Sequence, residues 1–341
     1  MAEIPAPVSA PPSLPLGKVI RVASIAREQS YLFSLVLAIA LIIANTAVLP
    51  PFLSSSQIPP ELGTLAPFAL AAMASTPAIL VGGGGIDLSI APLMGLVNIV
   101  LVVGLLPAGM GSPEIAIPLM LILGGVVGAL NGVLVAVFRY PPVIATLAVY
   151  FILGGIDLQL APDPVSSYPA WTVDLANTLW HVPGTIFTVG TVLVLWFFFR
   201  RTAYYRHLFA VGDDDVAAYS SGVNVRMVRI LAYSMGGVLA AVAGIALTGQ
   251  IQSADTTVWP SFVLIALAAV ALGGTKLSGG RGGFLGSALG ALCVYLINAL
   301  LSALGVDVFY IPVAYGAVLL VAVVAGSSLG RTSTRWTRSG T

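Results

Sequence analysis

Charge is scarce in this chain. Only 8% of its 341 residues are charged, against about 25% in a typical soluble domain. Hydrophobic residues make up 58% and mean hydropathy is +1.02. Such a balance excludes a water-soluble globular domain. The net charge of +1 says little about partners, and no nucleic-acid partner is expected. Cysteine is almost absent. The single Cys293 lies in an apolar stretch, which excludes an intrachain disulfide framework and a cysteine metal cluster. Histidine is limited to His181 and His207, placed on opposite sides of the membrane by the threading below, and no HExxH or Ser-His constellation exists. No catalytic residue and no metal site is therefore expected. A phosphate loop of the form GxxxxGK[ST] is also missing, because the Gly-rich runs at 82–85 and 279–283 lack the following Lys-Ser/Thr.

What is present is a series of ten apolar stretches, at 31–49, 61–81, 86–106, 116–137, 143–160, 184–200, 229–249, 258–275, 283–304 and 308–326. A run near twenty apolar residues spans a bilayer as a helix, so the expected fold is all-α and polytopic, with about ten transmembrane helices. One threading places all fourteen Lys and Arg on one side. Lys18, Arg21 and Arg27 precede the first stretch, and Arg139 follows the fourth. Arg200, Arg201, Arg206, Arg226 and Arg229 lie between the sixth and seventh. Lys276 and Arg281 follow the eighth, and Arg331, Arg335 and Arg338 follow the tenth. The alternate loops hold Glu61, Glu114, Asp163, Asp174, Asp255 and Asp307 and no basic residue. Basic residues accumulate on the cytoplasmic side, so both termini are expected there. Residues 1–28 read as a Pro-rich cytoplasmic tail, disordered by composition. Residues 29–326 read as the transmembrane domain and 327–341 as a second cytoplasmic tail. No small-residue cleavage site follows the first stretch, so it is expected to be retained as a span.

Two stretches are interrupted. Pro77 is followed by Gly82, Gly83, Gly84 and Gly85, then Asp87, Ser89 and Pro92. A second break, GGTKLSGGRGG, covers 273–283. Non-helical backbone within a bilayer must be buried in protein or line a wet cavity, and paired broken segments point to a transport pathway. Tight turns between closely packed helices are the alternative reading of both. The order of apolar run, Gly-rich break and small-residue helix recurs weakly at 64–100 and 257–293. Gly124, Gly125 and Gly128, and Gly282, Gly286 and Gly290, share helix faces at spacings that let neighbouring backbones approach.

The longest polar stretch on the basic side is 200–229. Asp213, Asp214 and Asp215 precede Val216 to Tyr219, and Gly222 follows. Acidic residues suit a helix start and Gly a helix stop, so a helix of about two turns is expected over 213–221. A helix this short needs packing against its own bundle or a partner.

Here the chain resembles a family. AVGDDDVAAYSSGVNV at 210–225 is similar to the cytoplasmic coupling segment, written AVGGNxEAAxxSGI, of permease subunits from bacterial ABC importers for ribose and related simple sugars. GGGGIDLSIAPLMG at 82–95 resembles that family's GGIDLSVG element, NGVLVAVFRYPPVIATLA at 131–148 its NGxLVxxxRxPPFIATL element, and GGTKLSGGRGGFLG at 273–286 its GGTSLxGGxGxxxG element. The four occur in family order. The resemblance implies a type II-like ABC importer permease in the bacterial inner membrane. Its implied partners are a second permease, identical or a close relative, two cytoplasmic ATP-binding subunits that hold ATP and Mg, a periplasmic sugar-binding protein, membrane lipid and a small-molecule solute. No cofactor is implied for this chain. The resemblance assigns Gly212, Asp213, Asp214, Asp215, Ala218, Ser221 and Gly222 to the ATPase contact. Asp213 stands where the family usually has Gly, Tyr219 where Arg is frequent, and Tyr205 where a Gly-Arg pair often begins the segment, and these departures bear on which ATPase is accepted.

Polar residues in or near spans are candidates for the solute route: Asp87, Ser89, Asn98, Asn131, Thr146 and Asn298. Asp87 also suits a helix-starting cap on Leu88 to Ala91, and the Asn residues suit interhelical hydrogen bonds. Tyr168, Trp171, Trp180 and Trp259 read as anchors at the outer interface. Two rivals remain. An ion-coupled secondary transporter would need ionisable groups within its bundle, and only Asp157 lies well inside a span. A membrane scaffold gives no reason for the broken helices.

Overall fold

A computed structural model describes residues 31–320, so the expected tails 1–28 and 327–341 lie outside the described residues. Within them the protein is helical, apart from one two-residue strand pair, Thr178–Leu179 with Val182–Pro183. Ten apolar helices correspond to the ten stretches: α1 (Leu32–Val48), α2 (Ile58–Leu80), α3 (Ile90–Ile99), α4 (Pro113–Ala136), α5 (Pro142–Leu160), α7 (Thr185–Phe199), α10 (Val225–Ile251), α11 (Ser261–Leu272), α12 (Phe284–Ala303) and α13 (Ile311–Leu320). Only α2, α4, α5, α10 and α12 are long and apolar enough to cross a bilayer unaided, with a sixth span if α7 is joined to the bent helix that follows it. Helices α1, α3, α7 and α11 match the expected stretches in place but are shorter, so ten unaided spans are not found among the described residues, and α13 is described only as far as Leu320. For α11 the limits are physical, since Pro260 precedes its first turn and Gly273 ends it. Helix α3 begins at Ile90, four residues later than the apolar run suggests, and closes in a π-helical turn at Val100–Leu105.

Helix α2 is the hub, buried along most of its length and packed against α10, α11 and α12. Its polar side chains are satisfied locally. Ser75 and Thr76 hydroxyls donate to the carbonyls of Ala71 and Ala72, one turn back, and Thr76 shares a further hydrogen bond of 2.7 Å with Ser287 on α12. Small residues set how closely the helices approach. A Cβ on Gly124 or Gly128 of α4 would press into the backbone of Gly237 or Tyr233 on α10. Gly286 and Gly290 of α12 meet Gly273 and Ala269 of α11 in the same way. Gly282 lies ahead of α12 and faces Thr275. Burial against protein replaces burial from water here, because lipid gives apolar helices no reason to associate.

The loop 161–183, expected on the outer side, holds a short helix, α6 (Ala170–Ala176), and the strand pair, neither of them expected. Trp171 Nε1 donates to Gly111 O at 2.8 Å, and Trp180 is exposed. Trp259 is a correction: it is buried against Gly95 and Tyr150 rather than free to anchor at an interface.

Candidate coupling and translocation site

Segment 200–229 folds as two short helices. After Phe199 the chain bends by 86° into α8 (Ala203–Asp213), whose first turn is capped by Thr202 accepting from Tyr205 N. Asp214 then leaves the helical region at φ −154° and ψ 106°. Its Oδ1 accepts from Val216 N at 3.0 Å and Ala217 N at 2.9 Å, which makes it the N-cap of α9 (Asp215–Ser220). A side-chain oxygen on the first unpaired amides is what such a cap supplies. The helix stops where Gly222 takes a φ of +86° and Val223 N donates back to Ala218 O. Thus the acidic start and Gly stop are where the sequence puts them, but the helix has six residues and Asp213 closes α8 instead of opening α9. Of three consecutive aspartates only one can take the extended cap conformation.

Helix α9 is held on its inner side by buried Ala218 and by an ion pair of 2.8 Å between Asp215 and Arg229 of α10. Its outer side presents Val216 and Tyr219, 71% and 73% exposed. Sequence reading assigned neither to the contact set, although an apolar pair on a helix with acidic caps was the available signal. Ser221 and Gly222 are also exposed, whereas Gly212 is not free.

Gly212 joins the two Gly-rich breaks. A Cβ there would collide with Leu80 O and stand 2.7 Å from Gly280 N. Gly280 N itself donates to Leu80 O at 3.1 Å, and Gly279 packs on Gly82. The breaks are therefore tight turns, and they touch each other both directly and through Gly212 of the 200–229 segment. Gly82, Gly83 and Gly84 have φ of +76°, +65° and +74°, and Gly279 and Gly280 have +97° and +73°. Left-handed backbone at this density suits only glycine. Aromatic rings tie the same end together: Trp196 of α7 stacks on Phe284 of α12 with centroids 3.9 Å apart, and Tyr205 of α8 meets Trp196 edge-on. Beside α9 opens a cavity of about 1330 Å³, lined by Arg139, Tyr140, Tyr219, Arg226, Arg229 and Tyr233 among others. Two basic clusters thus line the cavity, and a third, Lys276 and Arg281, flanks Gly279–Gly280 at the same end of the bundle.

Four of the six polar candidates converge behind this junction. Asp87 Oδ1 accepts from Ser89 N at 2.9 Å and from Ser89 Oγ at 2.7 Å. Asn131 Nδ2 of α4 donates to Ser89 Oγ at 2.7 Å, and Leu88 N donates to Thr146 Oγ1 of α5 at 3.2 Å. Asp87 therefore closes a turn on Ser89 just ahead of α3 rather than capping it: the N-cap position is Ser89, and no side chain caps the first turn. Asn98 lies elsewhere: its Nδ2 donates to Thr248 Oγ1 and Ser253 O at 2.9 and 2.8 Å, holding α10 and the outer loop to α3. Asn298 donates to Tyr315 OH at 2.8 Å, linking α12 to α13. The solute candidates split into three groups, and the Asn side chains do join helices. Among the described residues no cluster of three or more His, Cys, Asp or Glu could hold a metal ion.

A family model described as branched-chain amino acid transport system / permease component matches residues 61–336. The chain belongs to this permease family. The ribose import permease protein of Bacillus subtilis is 36% identical over 289 residues, 83% of this chain and 88% of the relative. That of Haemophilus influenzae is 31% identical over 314 residues, 89% and 94% of the two chains. The fructose import permease protein of Rhizobium meliloti is 31% identical over 300 residues, 85% and 82%. No solved structure matches the chain. The resemblance drawn from the four motifs holds, and the permease is a multi-pass protein of the inner membrane.

Proposed function

We propose that the permease is the membrane subunit of an ATP-driven importer that moves a simple sugar, or a small solute like one, from periplasm to cytoplasm. The ribose and fructose permeases it is similar to support the solute class. In this reading two cytoplasmic ATP-binding subunits hold ATP and Mg, a second permease completes the membrane domain, and a periplasmic binding protein delivers the solute. Both termini face the cytoplasm, as the placement of basic residues implies.

The observation that carries the reading is the seat of the coupling segment. Val216 and Tyr219 face outward on a capped helix, while Gly212, just ahead of it, sits on both membrane breaks. Closure of the ATP-binding subunits would push on α9, and α8 would pass the displacement to Leu80–Gly82 and Gly279–Gly280. A bundle with two packings answers by rocking between inward-open and outward-open states. Asp87, Ser89, Asn131 and Thr146 would border the inner part of the route, with Asn98 and Asn298 fixing helices farther along.

Co-purification with the neighbouring ATPase tests this. Wild type is expected to retain the ATPase and to show hydrolysis stimulated by a loaded binding protein. A Val216→Glu, Tyr219→Glu double variant that still inserts should lose both. If no ATPase associates and wild-type vesicles take up sugar on an ion gradient alone, the reading fails and an ion-coupled transporter replaces it.

A further inference from the structure

A second polar site lies at the opposite end of the bundle. Asp157, in the last turn of α5, is fully buried, and neither carboxylate oxygen has a hydrogen-bond partner among the described residues. Trp259, just before α11, is 6% exposed, and its Nε1 is likewise unpartnered. The two side chains share one notch. A Cβ on Gly95 of α3 would press into Trp259 Cδ1 and stand 2.9 Å from Asp157 Oδ2. Tyr150 packs edge-on against the indole at 5.4 Å between centroids. The chain that follows Asp157 and the chain that leads to Trp259 close this end together: Val165 and Ala254 exchange backbone hydrogen bonds of 3.0 and 2.9 Å, and Asn98 holds Ser253.

An ionisable group within a membrane bundle generally marks a solute or ion path. The pairing of groups narrows the class. A carboxylate accepts hydrogen bonds and an indole N–H only donates one. A metal cation could use the first and not the second, and an anion the reverse. A hydroxyl does both, and the aromatic faces suit the C–H side of a sugar ring, as in small-molecule sites with few polar groups set among aromatic ones. We propose that Asp157 and Trp259 form the outer solute site of the permease, taking a neutral, hydroxyl-rich solute whose hydroxyls donate to the carboxylate and accept from the indole. This rests on the importer reading and locates its first contact after delivery. In the present conformation the site is closed, and separation of α5 from the 253–260 segment would open it.

The test is uptake of radiolabelled ribose and fructose by cells carrying the complete importer, with unlabelled pentoses, hexoses and polyols as competitors. Asp157→Asn is expected to raise KM about tenfold or more, as weakening a hydrogen bond to a charged group does, and Trp259→Phe about fivefold, as loss of a neutral one does. Membrane abundance and ATPase association should stay at wild-type levels, and competition by a deoxy sugar should weaken less than that by its parent. If both variants keep the wild-type KM and competitor ranking, the inference is overturned while the importer reading stands. If one variant fails to reach the membrane, the other decides. Uptake by the wild type on an ion gradient alone, with no ATPase associated, removes the importer reading and this inference together.

Discussion

Asp87 and Asp157 are almost equally hidden, 5% and 0% exposed, yet they are wired in opposite ways. At the inner end, Asp87 is satisfied by Ser89 N and Oγ, and through Ser89 it connects to Asn131 of α4. At the outer end, Asp157 has no partner and lies beside an indole N–H that also has none. Burial alone therefore does not distinguish a carboxylate that the fold satisfies from one that it leaves unpaired. The difference is whether the hydrogen-bonding capacity is used up by the chain itself. The end with the basic clusters spends its polar groups on turns that hold two breaks together, and the opposite end leaves two of them unpaired where Trp259 fills the notch at Gly95.

The sharpest way to break this comparison is at the inner junction. Gly212→Val would drive a branched side chain into Leu80 O, a backbone atom that cannot swing aside. A destabilisation of about 3 kcal/mol is expected, at the upper end for overpacking, with loss of uptake, read as a lowered thermal midpoint in detergent and a transport assay. Asp87→Leu comes next. It strands the amide and hydroxyl of Ser89, and a cost of about 2 kcal/mol is expected, measured by the same thermal shift. Asp157→Leu should move the opposite way. Removing a buried group without partners is expected to stabilise by about 1 kcal/mol while uptake collapses, the usual exchange of function for stability at a site. A thermal midpoint that falls as far as for Asp87→Leu would show the two ends to be alike. Asp214→Ala is the smallest. Loss of the α9 cap costs about 1 kcal/mol or less at an exposed site, seen as a modest drop in ATPase retention rather than in thermal midpoint.

Much of the architecture was readable before any coordinates. The positions of the apolar helices follow from apolar runs, and an acidic start for α9 follows from Asp213–Asp215 with Gly222 behind, though which aspartate is the cap does not. The Gly-rich runs were legible as breaks, but their contact with one another was not, because nothing local in 82–85 encodes a meeting with 279–280 through Gly212. Helix lengths were legible only loosely. Hydropathy continues through Asp87–Ser89 and Pro260, where the backbone turns instead. Trp259 shows the same limit: an aromatic beside an outer loop reads as an interface anchor until its packing against Gly95 is known.

By itself the sequence determined that this is a membrane bundle, where its apolar helices lie, where two of them break, and that a short acidic-capped helix lies among the basic residues. Those properties are local, set by composition, capping chemistry and glycine's access to left-handed backbone. Tertiary structure alone decided that the two breaks and Gly212 form one junction, that Asp87 is satisfied, and that Asp157 faces Trp259 unpartnered. Each of these depends on which surfaces residues far apart in the chain present to one another, and only close packing of helices through small residues settles that.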